Sequence, residues 1–169
     1  MTVREALLAR RSVRKYTDEL VTREALTELA RAGMSGPSAC NRQPWEFYIA
    51  TNPDVLEKLR HASHFTKIPA PAAIVVCGDL KRALPLKMAD YWIQDCSAAT
   101  ENILLRAAEM GLGTVWCGIL PQAKPMKNVS EILGLDGHLI PLNIIFVGHP
   151  AETPEAGDRF DMEKVHFVI

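Results

Sequence analysis

The stretch MADYWIQDCSAATENILLRAAEM, residues 88–110, contains neither glycine nor proline and reads as the longest helix of the chain. Its apolar residues, among them Trp92, Ile93, Cys96, Ala99, Ile103, Leu104 and Ala107, cover more than one stripe of the helical surface. A helix apolar around so much of its circumference is buried on several sides. The small residues Ser97, Ala98 and Ala99 also let a second helix approach closely. This is the expected central helix, with one face a candidate subunit interface.

Outward from it, Gly111 and Gly113 end the helix, and residues 114–117 (TVWC) form a short strand entering a turn at Gly118. Two apolar runs, 72–77 (AAIVVC) and 142–147 (LNIIFV), read as strands buried on both faces. Residues 45–50 (WEFYIA) make a further strand straight after a loop over 34–44 that holds two prolines and a glycine. Four shorter helices are expected. One spans residues 3–10, with Ala6, Leu7 and Leu8 available for burial; another runs from a Thr22 N-cap to a stop at Gly33. The others run from Asn52-Pro53 to about His61, and from about Pro125 to Leu133. The tail, 161–169, is amphipathic enough to pair with another chain. On these elements the class is α+β or α/β, helices around a mixed sheet.

A chain of 169 residues reads as one domain, 1–169, long enough to bury roughly 70 % of its unfolded surface. A net charge of −1 and a pI near 6.5 argue against a nucleic-acid partner. No apolar run of spanning or signal-peptide length is visible, so neither a membrane segment nor secretion is expected. The cysteines, Cys40, Cys77, Cys96 and Cys117, are scattered and form no Cys-x-x-Cys pair. They read as reduced thiols of a cytoplasmic protein, with no disulfide and no metal.

The chemistry-bearing segments are few. Arg10, Arg11, Arg14 and Lys15 crowd around Ser12 between a helix and Tyr16. Arginine forks grip phosphate oxygens with two bonds each. The same run also reads as a solvated basic surface at a helix C-terminus, where the macrodipole favours cations. His61 and His64 lack a third ligand at metal spacing and read as surface histidines. Cys117 has no basic neighbour in sequence and reads as an inert core thiol rather than a nucleophile. There is no Gly-x-Ser-x-Gly, no phosphate loop and no dinucleotide fingerprint. Hydride transfer through a flavin needs no such set, because the cofactor carries the chemistry. The basic run suits its phosphate, and the polar loop 36–43 suits its ring edge.

Three segments, RRSVRKY (10–16), GPSACNRQPW (36–45) and GLGTVWCG (111–118), together resemble the FMN-dependent nitroreductase family, in order and separation, over essentially the whole chain. The resemblance implies an α+β, three-layer fold with a mixed, mainly antiparallel sheet, and a homodimer with two FMN sites at its interface. Arg10, Arg11, Ser12 and Arg14 would then hold the phosphate and ribityl chain. Pro37, Ser38, Ala39 and Asn41 would reach the flavin from the other subunit. Trp116, Cys117 and Gly118 would line the isoalloxazine, and Arg159 would close on the phosphate. No side chain is assigned a catalytic role. The implied activity is ping-pong: hydride enters from NADH or NADPH, and an electron-poor acceptor such as a nitroaromatic or quinone is reduced. The short stretch from Lys81 to Lys87 leaves room only for a small lid. Other flavin chemistry on the scaffold, a flavin carrier or redox sensor, and a phosphate-ligand binder without flavin are the alternatives.

Overall fold

The computed structural model of the chain describes residues 1–155 and 157–168; Ala156, and Ile169 at the end of the amphipathic tail, lie outside the described residues. The elements follow in the order α1 (Val3–Ala9), α2 (Arg23–Met34), β1 (Trp45–Ala50), α3 (Pro53–Arg60), β2 (Ala72–Asp79), α4 (Tyr91–Glu109), β3 (Gly113–Gly118), α5 (Ala123–Leu133) and β4 (Leu139–Gly148). Capping sets three of the helix starts. The Thr2 hydroxyl accepts from the Glu5 N–H at 3.3 Å while the Glu5 carboxylate accepts from the Thr2 N–H at 2.7 Å. The Thr22 hydroxyl accepts from Ala25 N–H at 3.1 Å, and the Asn52 side chain accepts from Asp54 and Val55 at 2.9 and 3.2 Å. Each cap satisfies amides that have no partner inside the helix.

The sheet order is β1-β2-β4-β3, with every strand pair antiparallel. The one parallel element among the described residues is a single bridge, Ser12 to Thr114. Strand alternation divides the core cleanly. Ile74, Val76, Ile145 and Val147 face α2 and α4, whereas Val75, Cys77, Ile144 and Phe146 face the side of α3 and α5. Three layers result, the expected α+β arrangement. Full burial of each such side chain is worth about 1.5–3 kcal/mol.

Several expected boundaries move. α4 begins at Tyr91, because Leu86–Met88 forms a separate tight turn with Leu86 at φ 57°. α5 begins at Ala123, two residues before Pro125, since amides of a first turn lack intrahelical partners and proline is tolerated there. Gly33 does not stop α2, which continues to Met34; a Cβ there would lie 3.0 Å from the Phe47 ring, so it is a packing residue. β4 starts at Leu139, and its register against β2 shifts between Val76 and Cys77, which accommodates Pro141 within a central strand. In α1 only Ala6 is buried, and Leu7 is exposed. Within one protomer α4 buries a single stripe, Trp92 through Ala107, leaving Ser97, Ala98 and Leu105 half-buried on its outer side.

Three of the four thiols lie in the core, with no disulfide. Burial pushes Cys117 up to about 11 and Cys77 up to about 12, and it also raises Cys96. Because the unfolded chain would ionise first, these thiols favour folding fully below their ordinary value of 9.0 and lose that contribution as pH climbs through 11 and 12. The loss approaches about 1.4 kcal/mol per pH unit for each thiol. The urea midpoint is therefore expected to fall steeply from pH 8 to pH 10.5, and less steeply in Cys117→Ala. Equal slopes in the two proteins would contradict this account.

Candidate functional site

β3 is an edge strand, and the basic run lies along its outer side. The chain leaves α1 at Arg10 (φ −59°, ψ 122°) and becomes extended. The Val13 N–H donates to the Thr114 carbonyl at 2.9 Å. Two glycines admit this close approach: a Cβ on Gly113 would lie 2.8 Å from Val13, and one on Gly148 would lie 2.6 Å from the Tyr16 ring. The Tyr16 hydroxyl donates to the Val13 carbonyl at 2.6 Å, and burial raises its pKa well above the ordinary phenol value. Val13 and Tyr16 are thus the anchors, and Ser12, Arg14 and Lys15 point to solvent. Of the run, only Arg10 stands at a helix end.

The four cations are not equivalent. Arg10 lies 3.5 Å from the Glu101 carboxylate of α4. Arg11 spends its fork on the tail: its Nε and Nη2 donate to the Glu155 and Gly157 carbonyls at 2.8 and 2.7 Å, and its Nη1 to the Arg10 carbonyl at 2.7 Å. Lys15 is 3.9 Å from Glu152, whose other oxygen accepts the Arg14 N–H at 2.9 Å. The Arg14 guanidinium meets only the Ser12 carbonyl, at 3.5 Å, and has no acidic partner among the described residues. A cleft of about 200 Å³ lies beside the run, walled by Arg10, Arg11, Thr114 and Glu152 among others. Arg159 is exposed, two residues beyond the Gly157 carbonyl that Arg11 holds.

The ring end of the candidate site is the far half of β3. The Thr114 carbonyl faces away from β4, so by ladder alternation the peptide groups of Trp116 and Gly118 also face the open edge. A Cβ on Gly118 would meet nothing within 4 Å, and Trp116 is 37 % exposed. Cys117 has the opposite phase: its backbone faces β4, and its buried thiol donates to the Phe65 carbonyl at 3.3 Å. From Thr114 to Gly118 the edge runs about 13 Å.

The loop with Pro37, Ser38, Ala39 and Asn41 sits elsewhere, before β1 and therefore at the opposite edge of the sheet. Cys40, Asn41 and Gln43 all have φ near +50°, a conformation costing roughly 1–2 kcal/mol per residue for ordinary side chains. The loop is held from within: the Ser38 hydroxyl accepts from Gln43 N–H at 3.0 Å, and the Asn41 side-chain oxygen accepts from the Gln43 amide at 2.9 Å. Buried Asp95 of α4 accepts the Ala39 N–H at 2.8 Å. Asp95 lies near the start of α4, and the basic run meets α4 through Arg10 at Glu101, six residues on, about 9 Å along the helix. One protomer therefore brings Arg10, Arg11, Ser12 and Arg14 beside β3, but not the loop.

Sequence reasoning missed Asp95, hidden in the central helix, and the short turn His64–Thr66, which packs on β3 through Cys117. The acidic spacing of Asp95 carried no signal of its loop contact. His61 caps α3 and pairs with Glu57 at 2.9 Å, and His64 stands edge-on to Phe65. No group of three or more metal-ligating side chains is found among the described residues. The residues present fit FMN: a cation without an acidic partner, two residues from an exposed serine, at one end of an open strand edge, and outward peptide groups with space above Gly118 at the other.

Comparison with known proteins agrees. The sequence model of the nitroreductase family matches residues 7–73 and 62–149. A protein of Methanothermobacter thermautotrophicus, provisionally named an NADH dehydrogenase/NAD(P)H nitroreductase, is 39 % identical over 98 % of this chain and 86 % of its own length. A crystal structure from Parabacteroides distasonis under the same provisional name is 38 % identical, covers 98 % of this chain and 96 % of its own, and superposes with a TM-score of 0.92. A provisionally named nitroreductase from Desulfovibrio desulfuricans, solved in complex with FMN, is 29 % identical over 100 % of this chain and 98 % of its own, with a TM-score of 0.84.

Proposed function

This chain belongs to the nitroreductase family, and from that membership we propose that it is an NAD(P)H-dependent FMN oxidoreductase. It works by ping-pong, reducing electron-poor acceptors such as nitroaromatics or quinones after the nicotinamide donor has left. The observation that carries the reading is the outer edge of β3, with an acid-free cation at one end and outward peptide groups at the other. Bound FMN supplies the hydride acceptance and donation. The chain's own residues bind and orient. Arg14, Ser12 and Arg10 hold the phosphate and ribityl chain, with Arg159 closing from the tail. Arg11 joins them only by releasing the Glu155 and Gly157 carbonyls. Trp116 and Gly118 present N–H groups to the ring edge, while Cys117 keeps that strand in register.

The site is completed by a second copy of the chain. Pro37, Ser38, Ala39 and Asn41 lie at the far edge of their own sheet, so they serve the partner's flavin. Two surfaces suit the homodimer. The half-buried side of α4 (Ser97, Ala98, Leu105) is one. The other pairs the exposed tail, Val165 and Phe167, with a groove of about 620 Å³ lined by Leu20, Val21, Leu26, Ile49 and Pro71 beside the open edge of β1. An unpaired edge strand is a ready template for another chain. The unit is one FMN-binding domain over 1–169. No helix among the described residues is long and apolar enough to cross a membrane, and we place the protein in the cytoplasm on its four free thiols.

The test is an anaerobic absorbance spectrum of purified protein, before and after NADH or NADPH. Flavin bands that bleach and then return on adding a quinone are expected. Bands indifferent to both donors would favour a carrier or sensor, and a colourless protein that takes up no FMN would sink the reading.

A further inference from the structure

Beside the loop over 37–43 lies a second polar cleft, of about 360 Å³, lined by Cys40, Asn41, Arg42, Lys81 and Arg82. It is built between that loop and the turn that follows β2. Asp79, buried at the end of β2, holds the turn: its Oδ1 accepts the Lys81 N–H at 2.8 Å, and its own N–H donates to the Pro44 carbonyl at 2.6 Å. The Arg42 fork closes the other side, its Nε and Nη2 donating to the Arg82 and Ala83 carbonyls at 2.6 and 3.4 Å. Three cations therefore converge. The one carboxylate among them, Asp79, lies 3.7 Å from Arg82 and 3.9 Å from His138. Lys81 is exposed and has no acidic partner among the described residues. The wall is predominantly polar and cationic, which is the chemistry of a multiply charged anion site.

We propose that this cleft seats the diphosphate of the nicotinamide donor. The inference rests on the flavin reading above, in which Asn41, a wall of this cleft, serves the partner's flavin. In a dinucleotide whose nicotinamide lies on that flavin, the diphosphate follows one ribose away, within reach of a neighbouring surface. The Lys81 side of the cleft is the adjoining cationic surface. Because the diphosphate is common to NADH and NADPH, the cleft serves both, and it does not by itself distinguish them.

The experiment is rapid-mixing reduction of the FMN-loaded protein by NADH, by NADPH and by 1-benzyl-1,4-dihydronicotinamide, which carries the ring but no phosphate. Lys81→Glu is expected to raise the half-saturating concentration of NADH and NADPH at least about tenfold, the size of one lost charge-assisted hydrogen bond. The limiting reduction rate, and reduction by the benzyl donor, should stay as in the parent protein. Lys81→Arg should restore both dinucleotides to within about threefold, since guanidinium binds phosphate at least as well. Added salt should weaken NADH in the parent more than in Lys81→Glu. If Lys81→Glu handles NADH as the parent does, or slows the benzyl donor equally, the cleft is not the donor's seat. A parent protein that none of the three donors reduces would instead overturn the oxidoreductase reading itself.

Discussion

Exchanging both Val165 and Phe167 for aspartate is expected to turn a dimer into a monomer and to strip it of FMN. Phe167 is 74 % exposed and Val165 39 % exposed on a protomer standing alone. Val165 has extended dihedrals (φ −111°, ψ 116°), and in an extended chain residues two apart share a side. Burying both on a partner is worth about 1.5–3 kcal/mol each, and a carboxylate forced into the same groove would cost several kcal/mol more. The substitutions lie outside the protomer core, so circular dichroism should be unchanged. The flavin loss follows from the proposed assembly, in which Ser38 and Asn41 reach a flavin only across the interface. Sedimentation velocity and the ratio of flavin to protein absorbance read the two effects separately. A double variant that stays dimeric and yellow would remove the tail from the interface.

The second large effect is expected at Arg14. Its guanidinium is exposed, unpaired with any acid among the described residues, and meets the Ser12 carbonyl on the edge of β3. Removing a charge-assisted hydrogen bond costs about 1.5–3 kcal/mol, or roughly 10- to 150-fold in FMN affinity. Because Arg14 anchors nothing in the fold, Arg14→Ala should keep the thermal midpoint of the FMN-free protein. Arg11→Ala differs in kind: it frees the Glu155 and Gly157 carbonyls and loosens the tail before it touches any ligand. Titration by flavin fluorescence distinguishes them. Full FMN affinity in Arg14→Ala would move the phosphate away from this corner.

Much of the architecture was legible in local signals. Thr22 and Asn52 act within three residues of themselves, so their caps are visible in sequence. The runs 72–77 and 142–147 are apolar on both strand faces, which allows them no position except the sheet centre. Boundaries escaped where a long-range fit overrode local preference. Gly33, a usual stop, lies inside its helix and is there for packing, since Phe47 and Ile103 leave little room for a side chain. The start of α4 escaped because Leu86 takes a positive φ that no residue type announces there.

The candidate site divides in the same way. The sequence by itself determined which residues are candidates for the chemistry, because cations, hydroxyls and a glycine-bounded strand edge are properties of residue type and short spacing. Only the tertiary structure decided which of them are free to act. The partners of Arg11 lie 144 and 146 positions away, and the carboxylate that holds Ala39 lies 56 positions away. Those pairings arise when β3 and α4 set the distances, and no neighbouring residue encodes them. The same geometry sets the loop before β1 and the basic run beside β3 at opposite edges of one sheet, a separation that no local stretch of sequence encodes.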